Sequence, residues 1–132
     1  MEKLYIPATP LSPEISFDPD TWLFQIKGFS APEDVRTLYY PVIDWITAAA
    51  DSLILNPELA GDKSIRLEID LNYFNSSSGK FLHDIFSEMA RMKENGCSVE
   101  IIWYYEADDS DMHEAGLDMS ALAGMEFTFV SK

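Results

Sequence analysis

The sequence contains a single cysteine, Cys97, and only nine lysines and arginines against 23 aspartates and glutamates. One cysteine excludes an internal disulfide and favours a reducing compartment. The net charge of −14, without a cluster of basic residues, argues against nucleic acid and anionic membranes as partners. No run approaches the roughly 20 apolar residues that span a bilayer, and the first residues lack the apolar stretch of a signal peptide. We therefore expect a soluble, cytoplasmic protein.

The sequence does contain the material for a hydrophobic core. Hydrophobic residues make up 47% of the chain, including eight phenylalanines, six tyrosines and three tryptophans, so it is not a disordered acidic tail. No flexible linker, internal repeat or low-complexity segment divides it. These features predict one domain over residues 1–132.

The first half of the chain predicts a hairpin followed by a long helix. Glu14–Asp18 and Thr21–Lys27 have strand character and are joined by a proline-containing turn. Ser30 and Glu33 fit a capping box, which places a helix start at Ser30. Apolar residues at three- and four-residue steps extend that helix to the Asn56-Pro57 pair.

The second half predicts a strand–helix–strand unit. Apolar and polar residues alternate from Ser64 to Asn72, and a helical apolar stripe ends at Asn95-Gly96. Residues 98–105 form an aromatic strand, residues 108–122 an acidic loop with a short helix, and residues 125–130 a last strand. The chain is predicted to be an α/β domain with a mixed β-sheet and helices packed mainly on one face.

Functional groups are concentrated between the alternating strand and the second helix, where Asn75, Ser76, Ser77, Ser78 and Lys80 lie in one short segment. Ligands and modified groups gather at such joints because the free amides of a helix N-terminus attract negative charge. The hydroxyls can cap the helix, contact a phosphate or accept one by phosphorylation. A Walker-type phosphate loop is excluded, because Phe74 stands where the first glycine of that motif belongs and Phe81 follows Gly79-Lys80.

An acidic run follows the aromatic strand and comprises Glu106, Asp108, Asp109, Asp111 and Glu114. Its spacing does not match an EF-hand loop, so we interpret it as a solvated face that can dock a basic patch of a partner protein. No complete catalytic constellation and no metal site with the required ligand spacing is visible. The sequence thus indicates no enzyme activity and no cofactor.

Several blocks of residues along the whole chain have a distinctive order and spacing: Tyr5-Ile6-Pro7, Pro13-Glu14-Ile15, the Gly28 to Glu33 segment, Pro41 to Trp45, Tyr73 to Lys80, Trp103-Tyr104-Tyr105 and Glu114-Ala115-Gly116. In that order and spacing they resemble the SiaC family of bacterial regulatory phosphoproteins. The resemblance implies a fold similar to the STAS domains of anti-sigma factor antagonists. It also implies a regulatory protein rather than an enzyme.

The resemblance further implies a phosphorylation switch. Ser76 corresponds to the hydroxyl residue that a Ser/Thr kinase phosphorylates and a PP2C-type phosphatase dephosphorylates, with Asn75, Ser77, Ser78 and Lys80 framing it. Family members in their unmodified form bind and activate a diguanylate cyclase, which implies a role in cyclic-di-GMP signalling and biofilm formation. The alternative hypothesis is a domain that binds a small molecule or divalent metal through residues 106–114 or the joint at Ser76.

Overall fold

The computed structural model describes residues 1–132 as one six-stranded sheet with three helices. The strands follow each other in chain order across the sheet. The first three strands pair antiparallel with one another. The third strand then pairs parallel with the fourth, and the remaining strands continue in parallel, so the sheet is mixed, as predicted. The elements are β1 (Leu4–Ile6), β2 (Glu14–Asp18), β3 (Leu23–Ser30), α1 (Val35–Leu55), β4 (Ile65–Phe74), α2 (Ser76–Glu94), β5 (Val99–Tyr105), α3 (Ser110–Ala123) and β6 (Thr128–Ser131).

The predicted hairpin is present as the antiparallel pair of β2 and β3. Its turn is longer than expected, because β3 begins at Leu23 and Trp22 adopts a left-handed φ of 57°. The Trp22 amide donates to the carbonyl of Asp18 at 2.8 Å, which closes the turn one residue before β3. Strand β1 was not predicted, since three residues are too few to show a period.

The predicted capping box is wrong. Helix α1 begins at Val35, and Asp34 is its N-cap, accepting from the Thr37 amide at 3.2 Å. Hydrogen bonds from Thr37 lower the pKa of the Asp34 carboxyl. Ser30 instead ends β3 with its hydroxyl buried. A proline two residues after Ser30 disfavours helical geometry for the residue between them, so the helix starts later, at an equally good capping residue.

The strand–helix–strand prediction is confirmed by the parallel pairing of β4 with β5 around α2. Helix α2 ends at the cap residue Asn95, and Gly96 follows with a φ of 93°, as the sequence pattern predicted. The C-terminal segment differs from the prediction. Helix α3 has 14 residues where a loop with a short helix was expected, and β6 begins three residues later than expected.

The helices cover one face of the sheet. Apolar side chains of β4 share a single core with α1 and α2, whereas the alternate side chains of β4 lie on the opposite, uncovered face. On that face Glu68 accepts from Gln25 at 2.8 Å and from Arg66 at 3.0 Å. Because its side chains are polar and hydrogen-bonded to each other, this face can remain in contact with water and needs no second layer of helices. None of the helices is long and apolar enough to cross a membrane.

Candidate functional site

The joint between β4 and α2 is built as an N-capped helix start. Asn75 has extended backbone geometry, and its side-chain oxygen accepts from the Ser78 amide at 2.8 Å. The Asn75 amide donates to the carbonyl of Ser30 at 3.0 Å, which fastens the cap to the end of β3. Ser76 is therefore the first residue of a 19-residue helix, held against the sheet at one defined point.

A chain of buried hydroxyls lies directly behind this helix start. Ser78 Oγ donates to the Ser30 carbonyl at 3.0 Å, and Ser30 Oγ donates to Ser78 Oγ at 2.9 Å. Because the single Ser30 hydroxyl proton is used there, the Tyr39 hydroxyl donates to Ser30 Oγ across their 2.7 Å contact. Burial raises the pKa of Tyr39, which keeps it protonated for this role. The chain joins β3, α1 and α2 behind the site.

The three serines of the segment have different surroundings. Ser76 and Ser77 are exposed on the first turn of α2, whereas Ser78 is fully buried and its hydroxyl is committed to Ser30. Ser76 and Ser77 are thus accessible to a modifying enzyme, at a helix end that favours negative charge, whereas Ser78 is not accessible. The sequence could not separate these roles, because all three serines are equivalent by residue type.

Gly79 and Lys80, which follow the three serines, differ in their surroundings. A Cβ on Gly79 would lie 3.2 Å from the Phe74 ring and 3.3 Å from the Met119 methyl, so a side chain would press α2 away from its neighbours. Lys80 is exposed and lies one helical turn after Ser76, on the same side of α2. Lys80 and Ser77 line a groove of about 390 Å³ between α1 and α2.

Replacing Asn75 by Ala is expected to destabilise the protein by about 1 kcal/mol, because the Ser78 amide loses its only capping acceptor. The loss is measurable as a lower denaturant midpoint with an unchanged slope. Asn75→Asp retains an acceptor oxygen and is the matched control. A stability of Asn75→Ala equal to that of the native protein would show that the cap contributes nothing.

The acidic run does not form one cluster. Asp109 is the N-cap of α3 and accepts from the Met112 amide at 3.0 Å, and Glu106 lies 3.7 Å from the Lys132 ammonium. Asp108, Asp111 and Glu114 are exposed and form no ion pair within 4.0 Å. No group of three or more histidines, cysteines or carboxylates is placed to hold a metal ion, so the divalent-metal alternative gains no support.

Sequence reasoning missed Ser30 and Tyr39 as part of the site, as well as Arg36 and Tyr40, which line the groove beside Ser77. These residues lie on β3 and α1, more than 35 positions before the serines. The sequence patterns place Ser30 at a helix cap and Tyr39 on the apolar stripe of the first helix, and neither pattern connects them with the serines. No local pattern could have found them, because their contacts depend on how α1 packs against α2.

The fold and the joint define a regulatory α/β domain with a mixed six-stranded sheet and two exposed serines at the start of its second helix. Residues 6–132 match the SiaC family regulatory phosphoproteins. The chain belongs to this family, as its sequence blocks had indicated. An uncharacterized protein of Pseudomonas aeruginosa (strain UCBPP-PA14) is 31% identical over 107 residues, covering 80% of this chain and 78% of the relative.

Solved structures of SiaC from Pseudomonas aeruginosa have the same fold. Apo-SiaC superimposes with a TM-score of 0.79 at 26% identity, covering 100% of this chain and 99% of SiaC. SiaC is also known in complex with the diguanylate cyclase SiaD, as its activator, and there it matches with a TM-score of 0.80 at 26% identity over 97% of each chain. The α/β class and the one-sided helix layer predicted from the sequence are thus those of a known regulatory family.

Proposed function

We propose that this protein is a phosphorylation-switched regulator whose acceptor is Ser76. A Ser/Thr kinase transfers the terminal phosphoryl group of ATP to Ser76 Oγ, which loses its proton, and ADP leaves. A PP2C-type phosphatase hydrolyses the ester with water and releases inorganic phosphate. The protein itself catalyses neither step and acts through binding.

The observation that carries the proposal is the exposed hydroxyl of Ser76 at the first position of a long, firmly anchored helix. A phosphate there meets free helix amides and lies one turn from Lys80, so the protein accommodates the modification without unfolding. The net charge changes only from −14 to roughly −16. Long-range attraction of partners is therefore almost unchanged, and the switch acts on contacts near Ser76.

The unmodified protein binds and activates a diguanylate cyclase, and through cyclic-di-GMP it regulates biofilm formation. Support comes from the family membership and from the complex of the similar protein SiaC with the cyclase SiaD. The exposed part of the acidic run, with Asp108, Asp111 and Glu114, provides a second contact for basic surfaces of the kinase, phosphatase or cyclase.

Incubation with the cognate kinase and ATP is expected to add one phosphate to the native protein and none to Ser76→Ala. Intact-mass measurement reads this directly. Ser77→Ala is the matched control, since Ser77 is the exposed neighbour on the same helical turn and its replacement leaves Ser76 in place. A phosphate retained by Ser76→Ala, or lost from Ser77→Ala, would reject Ser76 as the acceptor.

A further inference from the structure

The groove between α1 and α2 is a surface that the acceptor role of Ser76 does not explain. Its floor is aromatic: Phe81 stacks on the buried Tyr39 ring at 5.6 Å, and Tyr40 meets Phe81 edge-on at 5.7 Å. Tyr40 is 53% exposed, although it packs beside this core pair. A large aromatic side chain held in a groove but left open to solvent is typical of a binding surface.

The rim of the groove is positively charged in a protein that is otherwise strongly negative. Arg36 and Lys80 are two of only nine basic residues, both are exposed, and neither forms an ion pair within 4.0 Å. Asp84 is the one carboxylate that lines the groove, which leaves one positive charge in excess. This local charge has the opposite sign to that of the chain.

We infer that the groove binds an acidic, amphipathic segment of the partner protein, which places apolar side chains on Tyr40 and Phe81 and carboxylates on Arg36 and Lys80. This inference rests on the proposed function for the identity of the partner, but the groove and its charge stand without it. Helical segments commonly dock in this way, with apolar anchors in the groove and charges on its rim.

The same geometry explains how one phosphate releases the partner. Ser76 lies one turn before Lys80 and directly precedes Ser77, which lines the groove. A phosphate on Ser76 adds roughly −1.5 to −2 charge, so the excess positive charge of the groove becomes negative. The phosphate then forms an intramolecular ion pair with Lys80 and repels the carboxylates of the incoming segment.

The test uses two synthetic helical peptides with identical leucine and phenylalanine positions, one with glutamate and one with lysine at the remaining positions. In amide NMR titrations, the glutamate peptide is expected to shift the resonances of residues 35–40 and 77–84 saturably. The double variant Arg36→Glu/Lys80→Glu is expected to bind it about tenfold more weakly. The controls are the single variant Lys93→Glu and the double variant Lys63→Glu/Lys93→Glu, which makes the same change in net charge as Arg36→Glu/Lys80→Glu. Both change exposed lysines away from the groove, so the affinity for the peptide should be retained.

The inference is overturned if the glutamate peptide does not shift these two stretches, if the lysine peptide shifts them equally, or if the double variant binds like the native protein. Thermal melts show whether each variant is folded. Activation of the cyclase is measured in parallel through cyclic-di-GMP production. Activation that survives Arg36→Glu/Lys80→Glu rejects the groove and leaves the proposed function intact, whereas peptide binding without any cyclase activation by the native protein rejects the proposed function and leaves the groove.

Discussion

Replacing Gly116 by Ala is expected to destabilise the protein by about 2–3 kcal/mol and to lower its melting temperature by about 6–10 °C. A Cβ at this position would lie 2.6 Å from the indole of Trp103 and 2.8 Å from the ring of Phe129. Trp103 cannot move aside, because it is fully buried and its Nε1 donates to the Met112 carbonyl at 3.0 Å. Helix α3 must therefore shift away from the sheet.

Close packing and intrinsic helix propensity predict opposite changes in stability for Gly116→Ala. In an exposed helix, Ala is more favourable than Gly by about 0.5–1 kcal/mol, so intrinsic helix preference predicts that Gly116→Ala stabilises the protein. Asp118→Ala is the control, since Asp118 is exposed two residues later on α3 and its replacement adds no atom against the sheet. A melting temperature of Gly116→Ala at or above that of the native protein would show that α3 does not pack as closely as described.

Replacing Ser30 by Ala is expected to destabilise the protein by about 1–3 kcal/mol, because it leaves the buried Tyr39 hydroxyl without a partner. Ser78 keeps its bond to the Ser30 carbonyl, so the start of α2 remains attached to β3 at that point. Chemical denaturation measures the loss, and the rate of phosphate incorporation at Ser76 measures whether the hydroxyl chain also positions the acceptor.

A double-mutant cycle separates the orphaned hydroxyl from other causes. Adding Tyr39→Phe to Ser30→Ala removes the unpartnered group, so the double variant is expected to be more stable than Ser30→Ala alone. If the two losses instead add, the contact between the two hydroxyls does not account for the cost of Ser30→Ala.

The outcome at Ser30 shows where reasoning from local sequence fails. Ser30 and Glu33 satisfy the pattern of a capping box, yet the helix starts at Asp34 and Ser30 serves the core. A similar error shortened α3, where acidic residues suggested a loop. Asp109 in fact caps that helix, and Met112 and Gly116 form its buried side. Local patterns rank capping residues and apolar positions, but the choice among them follows from long-range packing.

By itself, the sequence determined the mixed α/β architecture, the helix layer on one face, the β4–α2–β5 unit and the family, because alternation, helical periodicity and ordered motifs are properties of the chain in sequence. It also singled out the segment around Ser76 as a candidate site, and the phosphorylation of Ser76 stays a prediction. Only the tertiary structure decided which serines are exposed, that Tyr39 and Ser30 are hydrogen-bonded behind the helix start, and that Arg36 and Lys80 line the same groove. The physical reason is that burial and hydrogen bonding join residues on different elements, and the free energy of those contacts exists only after the elements have packed.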